Sequence, residues 1–438
     1  MCGIVGYVGR RQAAPILLEG LRRLEYRGYD SAGVALNCDG TIKTAKASGR
    51  LDNLCELIHD GNDLKGCCGI GHTRWATHGA PTRDNAHPHT SNDGKFAVVH
   101  NGVIENYAEL REELLSKGFS FLSETDTEVV VHLIDMYYTG DLKQALIMTA
   151  ARLEGSYALG IICADNQNEV FAMRHTSPLV LGVGVSENYF ASDITALLSH
   201  TKNVIELEDG EFAKLTPDGI TVYDCAGHEI KKQINRIVWD AEAAEKGGYK
   251  HFMLKEIMEQ PRALKAAIDP HLKDGRIVFE GISLGKDKLK SFDRIVIAAC
   301  GSAYHAGVVC RYIIEDLCKI PVAVEVASEL RYRNPCIDKH TLVIAISQSG
   351  ETADTIAALK ECKAHGAYSL AIVNVVGSTL SKIADDVIYT WAGPEISVAT
   401  TKGYTTQLAI GALLCVYMAH ELNTIDEKKY AELIESFK

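Results

Sequence analysis

The rhythm of apolar residues changes once along this 438-residue chain, and that change limits the folds open to it. Up to about residue 240 the apolar positions fall in short runs, many of them alternating: 32–36, 41–46, 69–73, 96–100, 157–163, 170–173, 179–183, 212–215 and 220–223. Turn residues separate them, among them Cys38-Asp39-Gly40, Asn92-Asp93-Gly94, Asp165-Asn166 and Pro217-Asp218-Gly219, as hairpins require. Helical spacing interrupts at 14–24, 108–117 and 127–138. This half is expected to be α+β, with layered antiparallel sheets between helices. From about residue 290 the pattern becomes strand, turn, helix, with strands expected at 294–299, 322–326, 341–346, 369–374 and 387–390 and a first helix at 304–317. Continuous apolar strands alternating with helices predict an α/β unit with a doubly wound parallel sheet covered on both faces. Between the halves, the polar and helical stretch from Trp239 to about Pro270 reads as a connector. The expected division is 1–239, a connector at 240–289, and 290–438.

Charge and composition exclude several classes. A net charge of -12 is the wrong sign for a nucleic-acid binder. No apolar stretch approaches a membrane span, and the N-terminus lacks the basic-then-apolar layout of a signal peptide. Neither a nucleic-acid nor a membrane partner is expected. Thirteen cysteines with no even framework and no C-x-x-C pair fit free thiols in a reducing compartment, so a cytoplasmic location is expected.

The N-terminus carries the first candidate chemistry. Cys2 follows the initiator methionine and is small enough for Met1 to be removed. The product would hold a thiol and a free α-amine, of pKa roughly 7.7–8.0, on one residue. A base beside a nucleophile is what activates a cysteine attacker. The apolar run Ile4-Val5-Gly6-Tyr7-Val8 then reads as a buried strand that fixes the terminus. A thiol attacking an amide needs an oxyanion hole and a substrate clamp. Asn101-Gly102, after the strand at 96–100, offers a side-chain amide and a backbone N–H. Arg74 can hold a carboxylate with two parallel hydrogen bonds, and Asp126 an ammonium group. Taken singly, Asn-Gly is most often a turn and a lone Arg or Asp a surface charge. His72, His78, His87, His89 and His100 raise a metal site as an alternative. It is disfavoured because structural zinc sites mix in cysteine at regular spacings. No metal is expected.

Met1-Cys2-Gly3-Ile4-Val5-Gly6, residues 24–31, Gly71-His72-Thr73-Arg74-Trp75-Ala76-Thr77-His78-Gly79, Asn85-Ala86-His87-Pro88-His89, His100-Asn101-Gly102 and residues 124–128 together resemble the N-terminal-nucleophile glutaminase domain of the glutamine:fructose-6-phosphate aminotransferase family. The opening residues alone are shared with amidophosphoribosyltransferase and asparagine synthetase. The resemblance implies that Cys2 is the nucleophile and its amine the proton shuttle. It implies an oxyanion hole from Asn101 and Gly102, and glutamine held by Arg74 and Asp126 with Thr77 and His78 lining the pocket. Trp75 is implied to gate the ammonia route.

In the second half, Ser347-Gln348-Ser349-Gly350-Glu351-Thr352 joins a strand to a helix. Three hydroxyls, a glycine and the free N–H groups of a helix start suit a phosphate, at the strand ends where open α/β sheets bind ligands. Ordinary N-capping explains one hydroxyl and not three. Glu351 is expected to cap the helix start. Cys300-Gly301-Ser302-Ala303 repeats the geometry. Gly281-Ile282-Ser283-Leu284-Gly285-Lys286 is one residue short of a phosphate-binding P-loop, and no dinucleotide fingerprint follows a strand, so no cofactor is expected. The loop resembles the phosphosugar signature of SIS (sugar isomerase) domains, and residues 249–261, 328–333 and 398–402 resemble the same aminotransferase family. By that resemblance Ser347, Gln348, Ser349 and Thr352 bind the phosphate of fructose 6-phosphate, and Ser302 and Val398 contact the sugar. Ala303 replaces a hydroxyl residue frequent in the family. The family has a second SIS half, which supplies its acid–base groups and for which no counterpart is read here. The expected activity is glutamine hydrolysis with transfer of ammonia to fructose 6-phosphate, giving glucosamine 6-phosphate, with the isomerase machinery incomplete in these residues. A homo-oligomer is expected for the full-length form. A stand-alone glutaminase with a phosphosugar-sensing SIS domain is the alternative.

Overall fold

The structure is a computed structural model that describes residues 2–25, 28–76, 79–237 and 247–437. Its contacts divide the chain into two compact units, Met1–Ala241 and Glu242–Lys438.

The first unit holds an eight-stranded and a seven-stranded sheet, both antiparallel. In the first sheet β1 (Gly3–Val8) and β2 (Ser31–Cys38) flank β3 (Cys68–Arg74). In the second, β4 (Phe96–Ile104) pairs with β5 (Gly155–Cys163). The strand period of two sorts their side chains into layers. Ile4 and Val8 face the second sheet and pack with Ala97, Val99 and Ile162. Val5 and Tyr7 point the other way, onto Leu17 and Leu21 of α1 (Ala13–Leu24) and near α2 (Leu51–Leu57). Phe96 and Val98 of β4 turn outward against Val130 and Leu133. The helices on that side are α3 (Tyr107–Ser116), α4 (Glu128–Tyr137) and α5 (Leu142–Ala150). Helices, sheet, sheet, helices: three apolar layers hold four layers of secondary structure, as the sequence rhythm predicts. A Cβ at Gly6 would lie 2.0 Å from the Phe190 ring, so the sheets close around that aromatic only with glycine there.

The second unit is built on a five-stranded parallel sheet. Its strands are β6 (Arg294–Ala299), β7 (Val322–Val326), β8 (Thr341–Ser347), β9 (Tyr368–Val373) and β10 (Asp386–Tyr389), in the order β7-β6-β8-β9-β10. On one face Ile295, Ile297 and Ala299 pack against α7 (Ser302–Leu317), α9 (Lys402–Leu422) and α10 (Glu427–Glu435) through Ile314, Leu414 and Tyr430. On the other, Val296 and Ala298 meet Ile356 and Leu359 of α8 (Ala353–Ala364). Of the residues read as a connector, 252–268 form α6 (Phe252–Ile268), and Ala267, Ile277, Phe279 and Leu289 belong to the second unit's core. Trp239 lies outside the described residues.

Candidate functional site

Each unit carries a constellation of polar side chains near strand ends. In the first, Cys2 immediately precedes β1, whose register against β3 pairs Gly3 with Thr73. That pairing carries the end of β3 past the thiol, and the Trp75 N–H donates to Cys2 Sγ at 3.2 Å. Burial pushes the thiol pKa up, opposed by this N–H and by the Arg74 guanidinium. A thiol raised in this way is protonated near neutral pH, and its attack requires a base.

Asn101, on β4, donates from Nδ2 to the Cys2 carbonyl at 2.9 Å. His72 decides which end of the amide faces Cys2. Its Nε2 lies 3.0 Å from both the His100 carbonyl and Asn101 Oδ1. Both partners are acceptors, so Nε2 carries the proton. Burial holds the His72 pKa down to about 3, which keeps the ring neutral. With Oδ1 engaged by His72, the NH2 of Asn101 is turned to Cys2. Gly102 follows with φ +134°, and a Cβ there would sit 2.0 Å from the Ser156 carbonyl oxygen, so no other residue serves.

Arg74 ends β3, is buried, and donates to the Ala80 and Gly79 carbonyls at 3.3 and 3.5 Å. Burial lowers its pKa, against the charges of Cys2, Asp126 and Asp30, so these groups share one electrostatic neighbourhood. Asp126 accepts the Ile104 N–H at 2.8 Å. Asp30 accepts the Ala76 N–H at 2.8 Å and steadies the turn after β3. The Trp75 ring is 41% exposed and meets Tyr29 edge-on at 5.2 Å. Cys2, Arg74, Trp75, Asn101, Gly102 and Asp126 are thus set around the ends of β1, β3 and β4. Thr77 and His78 lie outside the described residues.

Three more buried histidines, His87, His89 and His100, lie near His72. His72 and His87 lie 4.2 Å apart, His87 and His89 4.7 Å. His87 Nδ1 accepts the His100 N–H, His89 Nε2 meets Thr125 Oγ1 at 3.1 Å, and His100 Nδ1 meets Thr127 Oγ1 at 2.8 Å. Burial lowers the pKa of each. Among the described residues, no group of three or more His, Cys, Asp or Glu is arranged to hold a metal ion.

In the second unit the strand order reverses between β6 and β8, and ligands of open α/β sheets bind at the carboxyl ends beside such a reversal. A pocket of about 200 Å³ opens there, lined by Cys300, Ser302, Ala303, Ser347, Gln348, Ser349, Thr352, Glu395, Ser397, Val398, Thr400 and Gln407. It contains Ser302, Ser347, Gln348, Ser349, Thr352 and Val398, the six residues expected at a phosphosugar. Ser347 Oγ accepts the Gly350 N–H and lies 3.0 Å from Thr352 Oγ1. Ser349 Oγ accepts the Glu351 N–H at 3.1 Å. Glu351 corrects an expectation. Its carboxylate accepts the N–H and O–H of Thr379 at 2.7 and 2.9 Å, capping the helix Thr379–Ile383.

Three helices, α7, α8 and α9, begin at this pocket. The start of α9 is already occupied from within. Glu395 Oε1 accepts the Thr401 and Gly403 N–H groups at 2.7 and 3.0 Å, and Oε2 accepts the Thr400 hydroxyl at 2.8 Å. The N-termini of α7 and α8 remain for an anion. Sequence reading did not single out His72 as a partner of Asn101, nor Asp30 or Glu395. Each acts through a fold-dependent contact with no local spacing signature.

Residues 40–238 match the family described as "Glutamine amidotransferase domain", and residues 288–417 match "SIS domain". Fold and sites therefore define a glutamine amidotransferase unit joined in one chain to a SIS unit. The glutamine--fructose-6-phosphate aminotransferase (isomerizing) of Clostridium tetani is 54% identical over 436 residues, 99% of this chain and 72% of that protein. The protein of that name from Caldanaerobacter subterraneus is 53% identical over 439 residues, 100% of this chain and 72% of that protein. A solved "C-terminal domain of glucosamine-fructose-6-phosphate aminotransferase from Francisella tularensis" is 41% identical, covering 44% of this chain and 54% of its own, with a TM-score of 0.42. The chain belongs to the isomerizing glutamine--fructose-6-phosphate aminotransferase family.

Proposed function

We propose that this chain hydrolyses the side-chain amide of L-glutamine in its first unit and supplies the nitrogen to fructose 6-phosphate held in its second, toward glucosamine 6-phosphate and glutamate. Family membership supports the substrates. The observation that carries the chemistry is the Asn101 amide, held with its NH2 toward Cys2 by a neutral His72.

In this reading Met1 is removed and the Cys2 amine takes the thiol proton. Sγ attacks the glutamine Cδ, and the developing oxyanion is met by Asn101 Nδ2 and the Gly102 N–H. The amine returns the proton to the leaving nitrogen, ammonia departs, and water hydrolyses the thioester. Arg74 holds the substrate carboxylate and Asp126 its ammonium, and Trp75 gates the ammonia. Ser347, Gln348, Ser349 and Thr352 take the phosphate, and Ser302 and Val398 meet the sugar. No cofactor takes part. All thirteen cysteines are unpaired, which supports a cytoplasmic location. Among the described residues no helix is long and apolar enough to cross a membrane. We also propose a homo-oligomer for the full-length form, to be tested by sedimentation.

Glutamate release from glutamine by the purified chain, set beside Cys2→Ala, tests the first half of the reading. Calorimetric titration with fructose 6-phosphate tests the second. Undiminished hydrolysis by Cys2→Ala removes the nucleophile from the scheme, and absence of sugar-phosphate binding removes the pocket.

A further inference from the structure

The wall of the second unit's pocket is held by a helix outside the SIS-matched segment. Residues 391–401, which include Ser397 and Val398, form neither helix nor strand, so side chains must supply their geometry. Glu395 grips one end of this loop, as described above. The other grip comes from α6. Glu256 is 2% exposed, and its Oε1 accepts the Ile396 N–H at 2.6 Å and the Ser397 N–H at 3.2 Å, with Oε2 at 3.3 Å from the latter. One turn on, Glu259 Oε2 pairs with Lys402 Nζ at 2.7 Å, where Lys402 is 2% exposed and opens α9. Buried carboxylates and buried N–H groups are stable only when they satisfy one another. The helix and the loop therefore fix each other's position. The loop from Ser347 to Thr352 is held differently, by its own hydroxyls and, through Glu351, by Thr379.

We propose that Glu256 is a positioning residue for the sugar end of the pocket, setting Ser397 and Val398 against the ligand while leaving the phosphate end untouched. Val398 is 74% exposed and has no packing strong enough to fix it alone. The proposal rests on the phosphosugar reading of the pocket. It makes a carboxylate far from the phosphate loop in sequence, on an element outside the matched domain, a determinant of which phosphate ester is retained.

The test titrates wild type, Glu256→Gln and Glu256→Ala with fructose 6-phosphate and, separately, with inorganic phosphate, using the whole chain. Glu256→Ala should bind fructose 6-phosphate about tenfold more weakly or worse, while inorganic phosphate stays within about twofold of wild type. Glu256→Gln is isosteric and keeps one acceptor oxygen, so it should fall between and guards against a variant that fails to fold. Unchanged fructose 6-phosphate affinity in Glu256→Ala overturns the proposal. So does a parallel loss of both ligands in Glu256→Gln, which marks general loosening. A wild type that binds neither ligand refutes the pocket reading itself, and the proposal with it.

Discussion

Replacing His72 with phenylalanine is the sharpest test of the first site. Phenylalanine keeps the ring volume and the stack on His87, 4.2 Å away, but removes the Nε2–H that holds Asn101 Oδ1. The amide then keeps a single anchor, the 2.9 Å bond from Nδ2 to the Cys2 carbonyl. Two limits bracket the loss. Complete loss of one oxyanion donor lowers kcat by about 10²–10³, or about 2.7–4 kcal/mol. Loss of one neutral hydrogen bond that merely biases the amide is worth about 1 kcal/mol, roughly fivefold. The expected fall in kcat for glutamine hydrolysis lies between roughly fivefold and roughly 10². KM for glutamine should change little, because in the proposed scheme Arg74 and Asp126 bind the ground state and the oxyanion exists only in the transition state. Alkylation of Cys2 by iodoacetamide should also be unchanged, because its partner, the Trp75 N–H, is untouched. Asn101→Ala sets the ceiling, and the double variant should be no slower than Asn101→Ala alone. Wild-type kcat in His72→Phe, or simple additivity in the double variant, refutes the orienting role.

Intact-mass measurement should find Met1 absent from active protein, and retention of Met1 with full activity ends the α-amine mechanism. In the proposed scheme the neutral amine is the base for the Cys2 thiol, whose pKa burial raises; kcat/KM should fall as pH drops below roughly 7.7–8.0, and a flat profile from pH 8 to 6 contradicts it. Ser347→Ala and Ser349→Ala should each weaken fructose 6-phosphate binding by about 1–3 kcal/mol in calorimetry without affecting glutamine hydrolysis, and equal affinity removes the loop from the site. Acid should destabilise the first unit. His72, with its folded pKa near about 3, stays neutral while the unfolded chain takes up a proton below about 6.5, so its contribution is intact above that pH and lost as pH falls toward 3. The loss is about 2 kcal/mol between pH 7 and 5 for His72 alone, with His87 and His89 acting in the same direction. Urea unfolding at the two pH values measures it, and equal midpoints refute it.

The sequence carried the layers because burial imposes a period. Alternation in β1 and β4 separates Ile4 from Val5 and Ala97 from Val98, and the opposed layers follow. The bounds expected for β6 and β7 match because Asp293 and Cys300-Gly301 close one strand and Pro321 opens the other. The strand Asn188–Ala191 and the helix α2 have no counterpart in the sequence reading. Residues 341–346 were expected as a strand, and the strand reaches Ser347, because a serine that is buried and paired reads as a turn residue in sequence. Local features of the candidate site were legible: a cysteine at the terminus, hydroxyls within one loop. The contacts that orient them were not. His72 and Asn101 are 29 residues apart, and Glu256 and Ile396 are 140 apart. No spacing rule reaches across folded layers.

Two buried or partly buried carboxylates beside a proposed phosphate pocket oppose anion binding, and at Glu395 the opposition is useful. Both Glu395 oxygens are engaged at the start of α9, so this charge neutralises the helix terminus on the proposed sugar side. The field left in the pocket is then asymmetric, favourable to an anion at α7 and α8 and unfavourable beside Val398. A phosphate ester is oriented by repulsion at one end as much as by attraction at the other. Glu395→Gln removes the charge while keeping the bonds, since Oε1 can accept from Thr401 and Gly403 and the amide NH2 can donate to Thr400 Oγ1. Inorganic phosphate should bind this variant more tightly, by a few-fold on the scale of a helix-terminus charge interaction of about 0.3–1 kcal/mol, and the gain should shrink as salt rises. Fructose 6-phosphate should gain less, because in the proposed pose its phosphate sits away from Glu395. Phosphate affinity that is unchanged or weaker in Glu395→Gln contradicts the asymmetry and returns α9 to the set of helices that hold the anion.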